Sequence, residues 1–303
     1  MVTLPYVSIV IPTRNRKRDL LECLSSIRQL NYPKEKLEII VWDNHSDDGT
    51  SEAVEAFFGE IASERWLNLS LIRSETNVGP YIPYNRVLER LYKNCEYILG
   101  LDDDVLLNRE CLLNLAEVTR MYSKVGVVGC RAVYHQFPDR TSSGAGFVNW
   151  WLGRLRYVDS DELIECDYVI GCCWLINKEA FVEVGGFDED YFIMHWEIDF
   201  CAKVKKHNYG VYYQPAALVI HKTSPNKRSG LYYLFRNKIL LIRKNTPLLP
   251  RITSLTLYIS LWIPKLLIDS IKVNKGLNFR EIKETLAGVL HGFLGKVGRH
   301  PKY

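Results

Sequence analysis

The feature that most constrains this chain is a short apolar run that leads directly into three aspartates. Residues 97–101 (YILGL) have the pattern of a buried strand, and Asp102, Asp103 and Asp104 follow where that strand ends. Three adjacent carboxylates repel one another, so an uncompensated cluster is costly. Carboxylate oxygens suit Mg²⁺ or Mn²⁺, whereas a solvated acidic turn beside a helix N-terminus is the alternative. The run therefore predicts either a divalent-cation site or such a turn.

The sequence around this run alternates between strand and helix patterns. Strand patterns occupy residues 7–12, 37–42, 69–73 and 97–101. Helix patterns lie between them, at residues 17–30, from 50 to about 59, and at 84–93. This order predicts an α/β fold with a parallel sheet and right-handed crossovers.

Polar residues follow the ends of all four strands. Thr13, Asp43 and Asn77 come after the first three, and the aspartates at 102–104 come after the fourth. In an open parallel sheet, ligands bind beyond the carboxyl ends of the strands. We therefore expect these polar residues to converge on one site.

The pattern is less regular after residue 125. Short strands are predicted at 126–130, 168–176, 211–213 and 217–220. The last ends at His221, which is structural unless it faces the aspartates, where it becomes a candidate metal ligand. Residues 131–167 contain Trp150 and Trp151, which we interpret as part of an aromatic hairpin or loop. These rings either contact the face of a sugar or another flat ligand, or they pack against the core.

Two carboxylates, Glu197 and Asp199, fall in the first turn of a helix predicted to run to about residue 207. The helix dipole stabilises anionic side chains at this position, which is the structural interpretation. The chemical interpretation makes one of the two a general base.

The composition, with 47% hydrophobic and 24% charged residues, is that of an ordinary globular protein. The eight cysteines show no CxxC spacing and lie mostly in apolar segments. We therefore expect reduced core cysteines in a cytoplasmic protein, not disulfides or a zinc site. No signal-peptide pattern precedes the first strand.

Charge is distributed unevenly along the chain. From residue 222 onward there are 16 Lys and Arg but only 3 Asp and Glu, so with a net charge of +4 the first 221 residues carry −9. A basic tail on an acidic body predicts attraction to an anionic surface. Nucleic acid is disfavoured as that surface, because the acidic strand ends would repel phosphate.

The basic region contains three helix-like segments. Residues 231–245 form a basic aromatic helix, residues 252–264 are an uncharged run of 13, and residues 279–294 form another amphipathic helix. A run of 13 is shorter than the ~20 residues that span a bilayer. It predicts a helix lying in the interface of anionic lipid, at the inner face of the cell membrane. The alternative is an appendage that packs on the first domain or on a second subunit of a homo-oligomer.

Seven motifs occur in a characteristic order within residues 6–245. They are VSIVIPTRNR (7–16), VWDNHSDDGT (41–50), NVG…YN (77–85), LDDDV (101–105), GGFDE (185–189), WEIDF (196–200) and VIH (219–221). In this order they resemble the family 2 glycosyltransferases of the GT-A fold, most of all the rhamnosyl- and related transferases of bacterial and archaeal surface-glycan synthesis. The resemblance implies a catalytic domain over residues 1–228 and a basic helical region over 229–303.

The resemblance also implies a role for each matching residue. Nucleotide-sugar binding is expected of Pro12, Thr13, Arg14, Asp43, Asn77, Gly79, Asp102 and Asp103. Asp104 is expected to bind Mg²⁺ or Mn²⁺ directly, with Asp102 on the ribose or a metal-bound water and His221 completing the metal shell. Apart from the resemblance, acceptor contacts are expected of Trp150, Trp151 and Trp196, because aromatic faces suit sugars.

The general base is expected in the stretch Trp196-Glu197-Ile198-Asp199. The family commonly has Glu-Asp-x-Asp here, so Glu197 stands where the catalytic aspartate is usual. We expect Glu197 to be the base, with Asp199 orienting it or contacting the acceptor. The implied reaction is a single in-line displacement that inverts the anomeric carbon of a nucleotide-sugar, with a glycan or lipid-linked hydroxyl as acceptor.

Two other functions stay open as alternatives. A sugar nucleotidyltransferase also needs metal-binding carboxylates on an α/β sheet, but residues 12–16 (PTRNR) lack the glycine-rich phosphate loop such enzymes ordinarily carry. A dehydrogenase is disfavoured because no GxGxxG follows the first strand. A non-catalytic membrane-associated scaffold with a transferase-like fold is the second alternative, because the Trp196-Glu197 pair departs from the family pattern.

Overall fold

The described residues fold around a ten-stranded sheet in the computed structural model, which describes residues 4–224, 230–265, 268 and 278–302. The strands are β1 (Val7–Thr13), β2 (Leu37–Asp43), β3 (Asn68–Arg73), β4 (Tyr97–Leu101), β5 (Val105–Leu107), β6 (Val125–Tyr134), β7 (Phe137–Ser143), β8 (Ala145–Asn149), β9 (Arg154–Val158), β10 (Ile164–Glu165), β11 (Cys173–Asn177) and β12 (Gly210–His221). The helices are α1 (Lys17–Arg28), α2 (Thr50–Ile61), α3 (Ile82–Val87), α4 (Cys111–Met121), α5 (Lys178–Glu183), α6 (Trp196–Lys206), α7 (Leu231–Asn245), α8 (Leu248–Leu257) and α9 (Phe279–Phe293).

The sheet has the order β10-β12-β6-β11-β4-β1-β2-β3, with β5 on β12 and β7 on β6. The strands β4, β1, β2 and β3 are parallel, as predicted, and so are β6 and β12. Between these two groups β11 runs antiparallel to both neighbours. The strands β8 and β9 form a separate antiparallel hairpin, so of the two alternatives predicted around Trp150, a hairpin or a loop, the structure has the hairpin.

Apolar side chains on both faces of the sheet explain why the early strands are nearly continuous apolar runs. In β1, Val7, Ile9 and Ile11 enter the core cluster shared with α1, α2 and α4, whereas Val10 enters the cluster on the opposite face. All seven residues of β2 are buried. Covering both faces is what a central strand of an α/β sheet requires.

Three of the predictions of secondary structure need correction. Residues 168–172 are not part of β11, because Tyr168 pairs with Gly146 of the hairpin and the Cys172 carbonyl accepts from the Asp102 N–H at 2.9 Å. The two short strands predicted at 211–213 and 217–220 are one strand, β12, whose register on β6 shifts between Gln214 and Leu218, around a proline that has no N–H to donate.

The helix predicted at 84–93 is the third correction. It is the shorter α3, followed by a 3₁₀ turn at Leu88–Arg90. After this turn, the Tyr92 N–H donates to the Glu38 carboxylate of β2 at 3.0 Å. The chain is thereby bound to the sheet instead of continuing as a helix.

The C-terminal helices pack on the sheet domain. Asn237 of α7 donates to the Met194 carbonyl at 3.1 Å, and α9 lies so close to α7 that a Cβ on Gly288 would be 2.4 Å from the Tyr232 carbonyl. The bounds of α7 and α9 confirm the predicted helices at 231–245 and 279–294. The division at residues 228 and 229 lies outside the described residues and stays a prediction. Among the described helices, none combines the length and the apolar character needed to cross a bilayer.

Gly100, in the strand that precedes the aspartates, is required by close packing. A Cβ on Gly100 would lie 2.4 Å from Trp174 Nε1 and 2.7 Å from Trp174 Cδ1, and Trp174 is fully buried. By contrast, a Cβ on Gly59 of α2 would meet nothing within 4 Å.

We therefore expect Gly100→Ala to lower the free energy of unfolding by about 1–3 kcal/mol, because the added methyl overpacks the core. Gly59→Ala is the matched control and should raise it by about 0.5–1 kcal/mol through helix propensity. Urea unfolding followed by circular dichroism measures both. A Gly100→Ala protein as stable as the wild type would contradict the packing argument.

Candidate functional site

A cavity of about 620 Å³ opens at the carboxyl ends of β1, β2 and β4. Most of the residues singled out from the sequence line it. They are Pro12, Thr13, Arg14, Asn77, Gly79, Asp102, Asp103, Asp104, Trp196, Glu197 and His221. The residues of this set that follow strands thus lie around one cavity, as predicted.

Asp103 is buried at the inner side of the cavity. Its Oδ2 accepts a hydrogen bond from Thr13 Oγ1 at 2.7 Å, and its Oδ1 lies 3.4 Å from Arg16 Nη1. Burial raises the pKa of Asp103 to about 7, although the charge of Arg16 and the hydrogen bond from Thr13 act in the opposite direction. A negative charge at Asp103 therefore costs stability in the folded chain.

Asp104 lies between two cationic groups. Its Oδ1 is 3.2 Å from His221 Nε2 and its Oδ2 is 2.9 Å from Arg16 Nη1. Burial would raise the pKa of Asp104, but the hydrogen bond and charge of His221, together with Arg16, hold this pKa below its usual value. His221 reaches this position because, in the β12–β5 pair, it lies opposite Val105, the residue after Asp104.

His221 is the counterpart of this pair. Burial would lower its pKa, but the hydrogen bond to Asp104, the contact with Cys172 and the charge of Asp102 raise it to about 11. His221 Nε2 is 3.9 Å from Asp102 Oδ2. The imidazole is therefore protonated in this arrangement.

The atoms of Asp102, Asp104 and His221 that could ligate a metal all lie within 4.8 Å of one another. Two carboxylates and an imidazole form a donor set that fits Mg²⁺ or Mn²⁺. Such a cation would displace the proton of His221, because only the neutral imidazole is a ligand. Asp102 is 45% exposed and so faces the open side of the cluster.

Glu197 lines the cavity from the first turn of α6. Its Oε2 is buried and has no hydrogen-bond partner among the described residues. Burial raises the pKa of Glu197, a backbone hydrogen bond lowers it and the charge of Asp102 raises it, and together these effects bring the pKa to about 7. A carboxylate in this environment can accept a proton near neutral pH.

The backbone just before Glu197 is unusual. Met194 and His195 have φ values of 68° and 64°, so two consecutive non-glycine residues lie in the left-handed region. Asn237 of α7 donates to both the Ile193 and the Met194 carbonyls, at 2.5 and 3.1 Å. Residues in such strained conformations cluster at functional sites.

Asp199 lies away from the cavity, although it is only two residues from Glu197. Its Oδ1 accepts from Tyr191 Oη at 3.2 Å and from Asn245 Nδ2 at 2.6 Å, and its Oδ2 is 2.9 Å from Lys203 Nζ. The side chain is 1% exposed. The structure therefore brings Glu197, but not Asp199, to the cavity.

Asp43 also does not line the cavity. Its carboxylate accepts from the Ser46 N–H at 2.8 Å and from Ser51 Oγ, which fixes the loop after β2. The neighbouring Asn44, which the sequence did not single out, lines the cavity instead. Asn44 Nδ2 donates to the Gly79 carbonyl at 2.9 Å and thereby ties the loops after β2 and β3 together.

The three tryptophans are in two places. Trp196 lines the cavity and stacks on Tyr81 with ring centroids 5.2 Å apart. Trp150 and Trp151 line a different cavity of about 970 Å³, between the β8–β9 hairpin and Pro247. The structure thus does not bring these two residues to the Asp102–Asp104 cluster.

Arg16 is the functional candidate that sequence reasoning missed. The loop after β1 contains Arg14 and Arg16, and both line the cavity. The spacing alone gave no reason to choose the second, whose guanidinium is the one that pairs with Asp103 and Asp104.

Comparisons with known proteins bear on the fold and the family. The family model described as Glycosyl transferase family 2 matches residues 8–185. Among curated relatives, glycosyltransferase AglE of Haloferax volcanii is 35% identical over 88 residues, 29% of this chain and 27% of AglE. The N-acetylglucosaminyl-diphospho-decaprenol L-rhamnosyltransferase of Mycobacterium tuberculosis is 24% identical over 215 residues, 61% of this chain and 66% of that protein. The matches thus span about a quarter of the first relative and just under two thirds of the second.

Solved structures of the same fold include the mannosyltransferase PcManGT from Pyrobaculum calidifontis in complex with GDP-Man and Mn²⁺. The TM-score is 0.62 at 16% identity, with 97% of this chain and 87% of that chain covered. This similarity confirms the predicted α/β GT-A architecture with C-terminal helices.

The raised pKa of Asp103 gives a test of the site's electrostatics. Its folded-state pKa of about 7 is above the ~3.9 of an unfolded chain, so its contribution to stability is present below pH 4 and is lost as the pH rises to 7. Between pH 4 and 7, the free energy of unfolding should therefore fall by about 2–4 kcal/mol less in Asp103→Asn than in the wild type. Urea unfolding in EDTA at pH 4, 5, 6, 7 and 8 measures it, with the exposed Asp139→Asn as control. Equal pH slopes for Asp103→Asn and the wild type would contradict this assignment.

Proposed function

Because the chain belongs to glycosyl transferase family 2, we propose that it transfers a sugar from a nucleotide-sugar to an acceptor hydroxyl, with inversion and with a divalent cation. The observation that carries this proposal is the content of one cavity. Glu197 is half-buried, its Oε2 has no hydrogen-bond partner among the described residues, and it lines the same 620 Å³ space as the Asp102–Asp104–His221 cluster. A proton acceptor and a cation site are the two groups that such a displacement needs.

On the donor side, the loops after β1 and β3 are the proposed nucleotide-sugar site. Thr13, Arg14, Asn77 and Gly79 line the cavity there, and Pro12, Asp102 and Asp103 complete the expected set. We assign Asp43 to this site only through its neighbour Asn44, because both Asp43 oxygens already accept hydrogen bonds, one from Ser46 of the loop and one from Ser51 of α2. Asp102, Asp104 and His221 are the proposed cation ligands, and the cation would offset the charge that develops on the departing diphosphate.

On the acceptor side, Glu197 is the proposed base. Its carboxylate takes the proton of the acceptor hydroxyl while that oxygen bonds to the anomeric carbon. The bond from this carbon to the donor diphosphate breaks in the same step, and the electron pair leaves with the diphosphate. Asp199 supports this base by holding α6 on α7, since Asn245 donates to it at 2.6 Å. Trp196, stacked on Tyr81 beside the cavity, is the proposed acceptor contact.

A membrane-linked acceptor is the second part of the proposal. The name of the mycobacterial relative contains a sugar linked to diphospho-decaprenol. This chain presents exposed apolar side chains on one surface, which we call the tip–α8 face: Trp151, Leu152, Leu248, Leu249 and Ile252. Thr253 Oγ1 lies 3.2 Å from the Trp151 carbonyl oxygen, so the hairpin tip and α8 are in contact.

Basic side chains accompany this face. Arg154 and Arg156 of β9 are exposed beside the hairpin tip, and the chain from residue 222 onward has the basic excess described above. We therefore propose that the tip–α8 face lies on anionic lipid at the cytoplasmic side of a membrane. Trp150 and Trp151 would then contact the lipid or the lipid-linked part of the acceptor, not the transferred sugar.

We expect Glu197→Gln to lower the transfer rate at saturating substrate by about 10²–10⁴-fold, because the amide cannot accept the proton. Binding of UDP or GDP in the presence of Mn²⁺ should be unchanged, which calorimetry measures. Glu179→Gln is the matched control, since Glu179 also lies in the first turn of a helix but is exposed. Full activity in Glu197→Gln would contradict the assignment, and no nucleotide binding in the wild type would favour a scaffold.

The pKa of Glu197 predicts the pH profile of the reaction. Because this pKa is raised to about 7 and the base must be deprotonated, kcat/KM should rise about tenfold per pH unit below pH 7 and level off above it. Steady-state kinetics between pH 5 and 9 test this. A Glu197→Asp variant should keep a sigmoidal profile with a shifted midpoint. A flat wild-type profile would contradict a role for Glu197 in proton transfer.

We expect Leu249→Ser with Ile252→Ser to weaken binding to vesicles of anionic lipid by at least about tenfold, because two large apolar side chains no longer enter the bilayer. Vesicle co-sedimentation measures this. The exposed Met121→Ser with Val182→Ser is the matched control on other helices. Equal vesicle binding by both double variants would contradict the proposed face.

A further inference from the structure

Arg16 is held between two groups of acids at the edge of the cavity. On one side its Nη1 is 2.9 Å from Asp104 Oδ2 and 3.4 Å from Asp103 Oδ1. On the other side its Nη2 and Nε are both 3.3 Å from Asp19 Oδ2. The side chain is 36% exposed and lines the cavity. The long side chain of Arg16 is thus held by aspartates at the entrance of the proposed cation site.

Two side chains contact the carboxylate of Asp104. His221 Nε2 is next to one oxygen and the Arg16 guanidinium is next to the other. The two groups differ in how they meet a metal. A neutral imidazole is a metal ligand, whereas a guanidinium has no acceptor atom and stays charged at all accessible pH values.

A divalent cation on Asp102, Asp104 and His221 would therefore find a fixed positive charge within a few ångströms of its own position. Like charges at such distances repel strongly in a half-buried site. The repulsion is relieved if the guanidinium leaves Asp104 while Asp19 continues to hold its other edge. Lys222 Nζ, 2.9 Å from Asp19 Oδ1, keeps Asp19 in place from the residue after His221.

The cavity that Arg16 lines is the space proposed above for the donor. A guanidinium presents a planar set of donors that matches the oxygens of phosphate groups in pairs. The diphosphate of the donor is the anion that the proposed reaction brings into this space.

We propose that Arg16 neutralises Asp103 and Asp104 in the metal-free protein and moves to the diphosphate of the donor once a divalent cation occupies the aspartate–histidine cluster. This inference rests on the proposed function for its second half only. Arg16 then has two effects on binding. It weakens the binding of the metal alone, and it strengthens the binding of the nucleotide when the metal is present.

Two binding measurements test the two halves. The first is Mn²⁺ alone, followed by electron paramagnetic resonance, with wild type, Arg16→Gln, Arg16→Lys and Arg18→Gln. Arg18 is the matched control, because it lies two residues after Arg16 in the first turn of α1, is 92% exposed and pairs only with Glu22 among the described residues. Arg16→Gln should bind Mn²⁺ about tenfold more tightly than wild type, whereas Arg16→Lys and Arg18→Gln should stay close to it.

The second measurement is calorimetric binding of UDP and GDP in saturating Mn²⁺. Arg16→Gln should bind the preferred nucleotide about tenfold more weakly, and Arg16→Lys should recover only part of this loss, because an ammonium lacks the paired donors. Arg18→Gln should match the wild type. The opposite signs of the two effects separate this role from a general loss of folding, which circular dichroism checks independently.

Two results would overturn the proposal. If Arg16→Gln binds Mn²⁺ no more tightly than wild type, Arg16 does not compete with the metal. If nucleotide affinity is unchanged in Arg16→Gln, Arg16 does not move to the diphosphate. Wild-type protein that binds Mn²⁺ but neither nucleotide would instead contradict the proposed function, and the comparison in Mn²⁺ alone would still decide the first half.

Discussion

The site depends on how the fold compensates negative charge at the end of a buried strand. Asp103 and Asp104 are buried, so each needs a donor or a cation within contact distance. The compensating groups come from other parts of the sheet edge: Thr13 and Arg16 follow β1, and His221 ends β12. Strand β1 is next to β4, while β12 reaches the aspartates through its pairing with β5. The order of the strands therefore places the compensating groups beside the buried aspartates.

The first half of the fold could be predicted because its signals are local. Strands β1 to β4 are apolar runs bounded by polar loops, and their parallel pairing follows from the intervening helices. The second half could not, because its pairings are between distant segments. Residues 168–172 have the composition of a strand, yet they bond to the hairpin and to Asp102 instead of extending β11. No local pattern distinguishes these two outcomes.

The candidate site, like the fold, could be predicted only in part. Strand ends located Thr13 and Asp104 beside one cavity, because the carboxyl edge of a sheet collects such residues, whereas Glu197, which lines the same cavity, was indicated by the family resemblance. The direction of a side chain was not predictable, since it depends on which partners the fold places beside it. The carboxylate of Asp43 accepts hydrogen bonds from Ser46 and Ser51, close by in the chain, and so does not line the cavity. Arg16 differs from Arg14 by its contacts with the aspartates, nearly 90 residues later.

Glu197 and Asp199 illustrate the limit most clearly. Both lie in the first turn of α6 and experience the same helix dipole. At 3.6 residues per turn, residues two apart point to opposite sides of a helix. Asp199 faces away from the cavity. Its Oδ1 accepts hydrogen bonds from Tyr191 and from Asn245 of α7, 46 residues later, and its Oδ2, which has no hydrogen bond among the described residues, is ion-paired with Lys203. Glu197 faces the cavity, and its buried Oε2 has no partner among the described residues. The two acids thus differ in their surroundings: Asp199 is held by an ion pair and two hydrogen bonds, whereas Glu197 lines the cavity and is available for proton transfer. This difference supports Glu197 as the proposed base.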